Sequence, residues 1–360
     1  MKPNRILEFD GLRGLAAFAV LMFHYTFRYH ELYTFAQEPP FLFRQGYMGV
    51  QLFFIVSGFV IFMTIERTET SLDFVASRFS RLYPTFWAGV IATTLIVFVS
   101  KLPNTQRTPF EIAVNLTMLQ EFFDVRAVEG VYWTLTRELL FYALVLIVFA
   151  MGLIKHWVPM AYAWLGLQTV ANVMKMERFG GWFPWKIEFY LLMEYCHLFV
   201  AGIVFYQLFQ IRASRALYGL LAFALVNQFL LFDHDLPASR LEESVYVTLF
   251  FVVIFAIVHG RAKFFAAKPL VFLGSISYAL YLVHQYLGYS IIRVFDAKGW
   301  SIWMAIGLAS LASIAVATGI TWYIEKPALR FLRSSYRSWK EVGGDAAKVV
   351  SAGSTDSENS

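Results

Sequence analysis

The chain has 360 residues, of which 58% are hydrophobic, 18% aromatic and only 15% charged, against roughly 25% charged in an average soluble domain. That composition excludes a water-soluble globular protein, and the lack of any long polar stretch excludes a separate soluble domain. The formal net charge of +5 sits mostly in short loops and near the C-terminus, so it bears on membrane topology and lipid headgroups and not on nucleic acid, and the single cysteine, Cys196, rules out an intramolecular disulfide.

A helix needs ~20 mainly apolar residues to cross a bilayer. Ten such runs follow one another, at 11–30, 46–65, 83–100, 133–154, 157–174, 189–209, 215–232, 243–259, 271–292 and 301–323. The chain is therefore predicted to be all-α, a polytopic membrane helical bundle of about ten transmembrane helices over residues 1–340. The small, polar EVGGDAAKVVSAGSTDSENS that closes it reads as a disordered cytoplasmic tail, 341–360. The run at 157–174 contains the polar Gln168 and Asn172, and without it as a span everything downstream would be reversed. The first run is retained as a helix and not read as a signal peptide, since no small-residue cleavage pattern ends it.

Under a ten-helix count Lys2, Arg5, Arg67, Arg78, Arg81, Lys155, Arg212, Arg215, Arg261, Lys263, Lys268, Lys326, Arg330, Arg333 and Arg337 share one side. The positive-inside rule makes that side the cytoplasm and places both termini there, although Lys101, Arg107, Lys175, Arg178 and Lys186 fall opposite. Two stretches alternate apolar and polar residues as interfacial helices do: SLDFVASRFSRLYP, with Pro84 expected to mark the junction with the third span, and PFEIAVNLTMLQEFF on the outer side. No internal repeat of the transporter kind is found.

The chemistry begins in FDGLRGLAAFAVLMFHY, residues 9–25, where an apolar helix carries Arg13 and His24. Eleven residues is close to three turns, so the two side chains share one face, about 16 Å apart along the axis. A central ionisable residue in a span is unfavourable by roughly 2.5–3.5 kcal/mol and normally points into the bundle or a wet cavity. Snorkelling of Arg13 to the headgroups is the bland alternative. Counting depths along an outward first span and an inward fourth span brings His24 and Glu138 to nearly one level, where the carboxylate would orient the imidazole as a general base requires. Neutralisation of Glu138 by its neighbour Arg137 is the competing reading. Glu194, His197 and His284 come out at comparable depths. Arg78 and Arg81, three residues apart, project from one helix face and suit phosphate oxygens, or else they form an ordinary positive-inside loop on anionic lipid. Gly46, Gly49, Ser57 and Gly58 read as close helix packing.

Taken together, FDGLRGLAAFAVLMFHY, GYMGVQLFFIVSGF, SRFSRLYP, WTLTRELLFY, SISYALYLVHQ and the EKP at Glu325–Pro327, in this order over residues 9–327, resemble the acyltransferase-3 family of bacterial membrane enzymes that O-acylate glycans. The resemblance implies a ten-helix bundle in the bacterial inner membrane, acyl-CoA as donor (usually acetyl-CoA) entering from the cytoplasm, a glycan or lipid-linked sugar as acceptor, and no metal. It makes His24 the catalytic histidine, as base or acyl carrier, Arg13 its companion, Arg78 and Arg81 the second arginine pair, and Glu138 the acid of the family's W-S/T-L-x-x-E pattern. Arg137 departs from the small or apolar residue common at that position. No esterase-like domain follows the bundle in this sequence, so a stand-alone enzyme is expected. The alternative class is a ten-helix transporter or glycan flippase with His24 and Glu138 as a proton relay.

Overall fold

The computed structural model describes residues 6–35, 39, 41–176, 182–230 and 240–356, with side chains described to residue 341. Lys2, Arg5 and Arg178, used above for orientation, lie outside these residues, as do positions 231–232 of the seventh run and 357–360 of the tail. Among the described residues there are helices and no strands. The chain folds as an all-α membrane bundle.

The first run forms α1 (Leu7–Phe23), a single wide π-helical turn at His24–Arg28, and α2 (Tyr29–Leu32), in one continuous rod. Glu8 and Asp10 in the first turn complement the positive end of the helix dipole. A 3₁₀ turn at Arg44–Met48 leads into α3 (Gly49–Ile65). Next comes α4 (Ser71–Ser100), capped by Thr70 and Asp73, each side chain bonded to the other's backbone N–H.

The expected break at Pro84 does not occur: the amphipathic stretch and the third span are one 30-residue helix. The proline deprives the Ser80 carbonyl of its helical donor, and a neighbouring helix packs on the same turn, Tyr278 Oη donating to the Leu82 carbonyl at 3.1 Å. Prolines inside membrane helices are tolerated where neighbouring helices pack against them.

The stretch expected to be interfacial on the outer side gives only the short α5 (Pro109–Asn115) and a 3₁₀ turn at Gln120–Phe123. The fourth run forms α6 (Trp133–Ala150) and the fifth α7 (Trp157–Met174), whose Gln168 and Asn172 are buried. The run at 189–209 is interrupted. A short α8 (Trp185–Tyr190) ends in a turn with Leu192 at φ 51°, and α9 (Cys196–Phe209) starts beyond it. Then follow α10 (Arg215–Leu230), α11 (Arg240–Val258), α12 (Lys268–Asp296), α13 (Ile302–Ile320), a π turn at Thr321–Glu325, and α14 (Lys326–Asp356). As drawn, α14 takes in most of the stretch whose composition reads as a tail.

Six described helical segments are long and apolar enough to cross a membrane: Arg44–Ile65, Ser71–Ser100, Gly130–Ala150, Arg240–Val258, Lys268–Asp296 and Ile302–Glu341; Cys196–Phe209 and Arg215–Leu230 are apolar but shorter.

At the centre α12 packs on α1, α13 and α4, while α3 packs on α9. Small residues set these distances. A Cβ added at Gly11 would lie 1.7 Å from the Phe265 carbonyl oxygen, and one at Gly274 1.9 Å from that of Asp10. Gly58 and Gly202 play the same part between α3 and α9, at 2.2 Å from Phe199 O and 2.0 Å from Ile55 O. Lipid tails give helices no hydrophobic reason to associate, so close backbone approach supplies the packing.

Candidate active site

The contacts of α12 define the site. Along α1 it runs parallel: Gly274 meets Asp10, and Gly288 meets Tyr25. Along α6 it runs antiparallel, with Thr134 Oγ1 2.9 Å from Tyr281 Oη and Tyr132 Oη donating to the Leu282 carbonyl at 3.3 Å. Ser277, Tyr281 and His284, spaced four and three residues apart, share one α12 face. Arg13 and His24 form the matching stripe of α1. The wide turn begins only at His24, so the three-turn spacing between them is undisturbed.

At the Arg13 end lies a cavity of about 130 Å³. Arg13 of α1, Arg78 and Arg81 of α4, and Glu138 and Tyr142 of α6 line it, with Ser57 of α3 and Ser277, Tyr278 and Tyr281 of α12. Three guanidinium groups thus converge from two helices. Arg81 is paired with Glu325, the acid of the EKP sequence. Among the described residues Arg13 and Arg78 form no ion pair; Arg78 donates to Thr64 Oγ1 at 3.2 Å and lies over the rings of Phe74 and Tyr142. Three guanidinium groups against the carboxylates of Glu138 and Glu325 leave an excess of positive charge that favours an anion there, and guanidinium forks match phosphate oxygens.

Glu138 sits among these arginines, not beside His24. Its carboxylate accepts from Ser57 Oγ at 3.2 Å and from Tyr142 Oη. The level expected from counting down α6 is wrong because the chain enters the bundle before the helix starts. The fully buried Glu129 accepts from the Tyr286 N–H at 2.7 Å, so residue 129 already lies beside the turn that holds His284. Glu138, nine residues on, is about 13 Å farther along the axis. Arg137 does not neutralise it; Arg137 pairs with Glu121 and covers the Phe189 ring at 4.4 Å.

His24 has a different partner. It is buried, and its Nδ1 lies 2.9 Å from the Val20 carbonyl oxygen and 3.2 Å from His284 Nε2, the two rings meeting edge to face. Tyr281 connects this pair with the cavity: its ring lines the wall and lies 5.9 Å from that of His284. His197, placed by the sequence at a depth comparable to His284, belongs to a separate cluster. His197 is bonded to Gln168 at 2.9 Å and Gln228 at 2.8 Å, between α7, α9 and α10.

Sequence reading missed Tyr281, Tyr142 and Glu129, and took Ser57 for packing alone. Tyr142 stands one turn after Glu138, and Tyr281 stands three residues before His284. That helical spacing was the available signal.

With hydrogen bonds to a charged carboxylate contributing about 1.5–3 kcal/mol, Tyr142→Phe is expected to lower kcat/KM by roughly 10-fold or more while leaving the melting temperature close to wild type. Steady-state kinetics and thermal unfolding of the purified variant check this. A wild-type kcat/KM would remove Glu138 and its donors from the site.

The acyltransferase family model described as "Acyltransferase domain" matches residues 6–322. The chain belongs to this acyltransferase family. It is an enzyme of the acyltransferase class and a multi-pass membrane protein. Among its relatives, the ORF330 protein of Acidianus two-tailed virus is 23% identical over 79% of this chain and 84% of its own length. O-acetyltransferase OatA of Staphylococcus aureus is 24% identical over 78% of this chain and 50% of its own. Exopolysaccharide production protein ExoZ of Rhizobium meliloti is 31% identical over 31% of this chain and 37% of its own. This acyltransferase thus spans most of the viral relative but half or less of the other two. No solved structure matches it.

Proposed function

We propose that this acyltransferase moves an acyl group, acetyl in the first instance, from acyl-CoA to a hydroxyl of a cell-surface or exported glycan or lipid-linked sugar in the bacterial inner membrane, with both termini cytoplasmic. The observation that carries this reading is the convergence of Arg13, Arg78 and Arg81 on one cavity wall that leads by way of Tyr281 to the His284–His24 pair. The arginines suit the phosphates of CoA, and the ~16 Å between Arg13 and His24 suits its extended pantetheine arm. His24 is the catalytic group, taking the acceptor proton as the hydroxyl attacks the thioester. Glu138, held by Ser57 and Tyr142, keeps the guanidinium groups apart and oriented. The names of ExoZ and OatA, exopolysaccharide production and O-acetyl transfer, agree with a glycan acceptor.

Purified protein in detergent is expected to release free CoA thiol from acetyl-CoA when extracted surface glycan is supplied, with one acetyl mass added to the glycan. Arg78→Ala is expected to raise the donor KM about 10-fold, the loss of one charge-assisted hydrogen bond of ~1.5 kcal/mol, with little change in kcat. Uptake of sugar into vesicles without any loss of thioester would overturn the reading in favour of a transporter.

A further inference from the structure

The facing imidazoles of His24 and His284 fix where each proton resides. A carbonyl oxygen only accepts hydrogen bonds. His24 Nδ1, 2.9 Å from the Val20 oxygen, therefore carries its hydrogen. His284 Nδ1, 3.1 Å from the Leu280 oxygen and 3.0 Å from that of Tyr281, carries its own. His284 Nε2 then faces the His24 N–H at 3.2 Å and can only accept from it. Both rings are neutral in this arrangement. The lone pair of His24 is left on Nε2, which makes no hydrogen bond among the described residues. The turn behind His284 is itself held: Tyr25 Oη donates to the His284 carbonyl at 2.7 Å, and Ser313 Oγ, 2.6 Å away, completes the contact from α13. Three helices thus lock the two rings against each other.

We propose that His284 is a positioning residue whose Nε2 shares the His24 Nδ1 hydrogen with the Val20 carbonyl, and with it holds His24 in the tautomer with a bare Nε2, the reverse of the form that predominates for a free histidine side chain. The proposal rests on the reading of His24 as the catalytic group. In the transfer step the acceptor O–H proton passes to His24 Nε2, the oxygen attacks the thioester carbon, the C–S bond breaks, and the departing thiolate takes that proton from Nε2. Nδ1–H stays in place throughout, and His284, never protonated, stabilises the transient imidazolium. The role is that of the carboxylate in a serine-protease triad, filled here by a neutral acceptor that a membrane interior accommodates without a buried charge.

The test is ¹⁵N NMR of histidine-labelled protein in bilayers, with His24→Ala as the difference sample among the 7 histidines. His24 is expected to show a protonated Nδ1 and a bare Nε2. Two variants accompany it. His284→Leu is expected to lower kcat roughly 10–100-fold at unchanged donor KM, the range expected for one hydrogen bond to a charged group, and His284→Gln, whose Oε1 can accept, to restore most of the loss. A proton on His24 Nε2, or a wild-type kcat in His284→Leu, overturns the proposal. Should His284→Leu fail to fold, the wild-type spectrum and the His284→Gln rate decide. The expected spectrum together with continued acylation by His24→Ala would uphold the pairing and remove the catalytic reading; a reversed tautomer in active enzyme would do the opposite.

Discussion

Protein carrying His24→Ala is expected to insert and purify like wild type and to lose acyl transfer by roughly 10²–10⁴-fold, the usual contribution of a positioned general base. The imidazole lies on a turn whose other contacts are independent of it. Tyr25 bonds the His284 carbonyl and Ser313, and Thr26 Oγ1 bonds the Met22 carbonyl at 2.7 Å while accepting from the Phe43 N–H at 2.9 Å. Removing the ring therefore leaves the wide turn tied to α12, α13 and the segment before α3. What disappears is the only donor to His284 Nε2 among the described residues and the lone pair facing the reaction. Mass spectrometry of surface glycans from cells expressing each protein, beside size-exclusion profiles in detergent, separates lost chemistry from lost fold. Acetylation at wild-type level with the variant would take His24 out of the mechanism.

The largest effect on stability is expected from Gly274→Val. A Cβ at this position would meet the Asp10 carbonyl oxygen at 1.9 Å and its carbonyl carbon at 2.5 Å. Both are backbone, so no side-chain rotation relieves the clash and α1 has to move away from α12. Overpacking of a core by flexible side chains already destabilises by about 1–3 kcal/mol, and backbone against backbone is expected to exceed that. Because the same interface brings Arg13 and Ser277 to one cavity and His24 beside His284, activity is lost with stability. Gly307 is the control. It lies in α13, and a Cβ there meets nothing within 4 Å, so Gly307→Ala is expected to be neutral or stabilising by up to ~1 kcal/mol through helix propensity. Thermal scans followed by size exclusion compare the two; equal melting temperatures would show that α1 and α12 are not held by direct backbone contact.

Arg81 is bound to Glu325 at the π turn where α13 gives way to α14, and α14 is tied to the start of α4 by Tyr336 and Lys340 on Asp73, at 2.9 and 3.1 Å. An arriving phosphate competes with Glu325 for the Arg81 guanidinium. Glu325→Gln is therefore expected to lower the donor KM about 2–5-fold, a change of about 0.4–1 kcal/mol, and to lower the melting temperature, because the Glu325 side chain is only 5% exposed and its loss leaves Arg81 without its ion-pair partner. Donor titrations at fixed acceptor check the direction.

Much of this was legible in the chain itself. Each of the ten apolar runs holds a helix, because in hydrocarbon a backbone has to satisfy its own hydrogen bonds and length and hydropathy then leave little choice, while α14 lay beyond them. The eleven-residue interval between Arg13 and His24 put them on one stripe, since a straight helix fixes relative direction from spacing alone. The same holds for Arg78 and Arg81, which do line one cavity. Prolines and depths were another matter. Whether Pro84 ends a helix depends on how neighbouring helices pack on that turn, which only the folded bundle sets; there Tyr278 bonds the Leu82 carbonyl.

What tertiary structure alone decided is which ionisable groups meet. The depth of Glu138 hinged on the non-helical chain before α6 descending to the level of Tyr286, a matter of loop burial with no periodicity to announce it. The partner of Arg137 came from sixteen residues away in an irregular stretch, and that of His24 from 260 residues away in α12. Hydropathy and helical spacing specify direction and length within one segment. The pairing of charges across segments is set by how glycine-lined helices slide against each other until backbones touch, and that register is a property of the whole bundle.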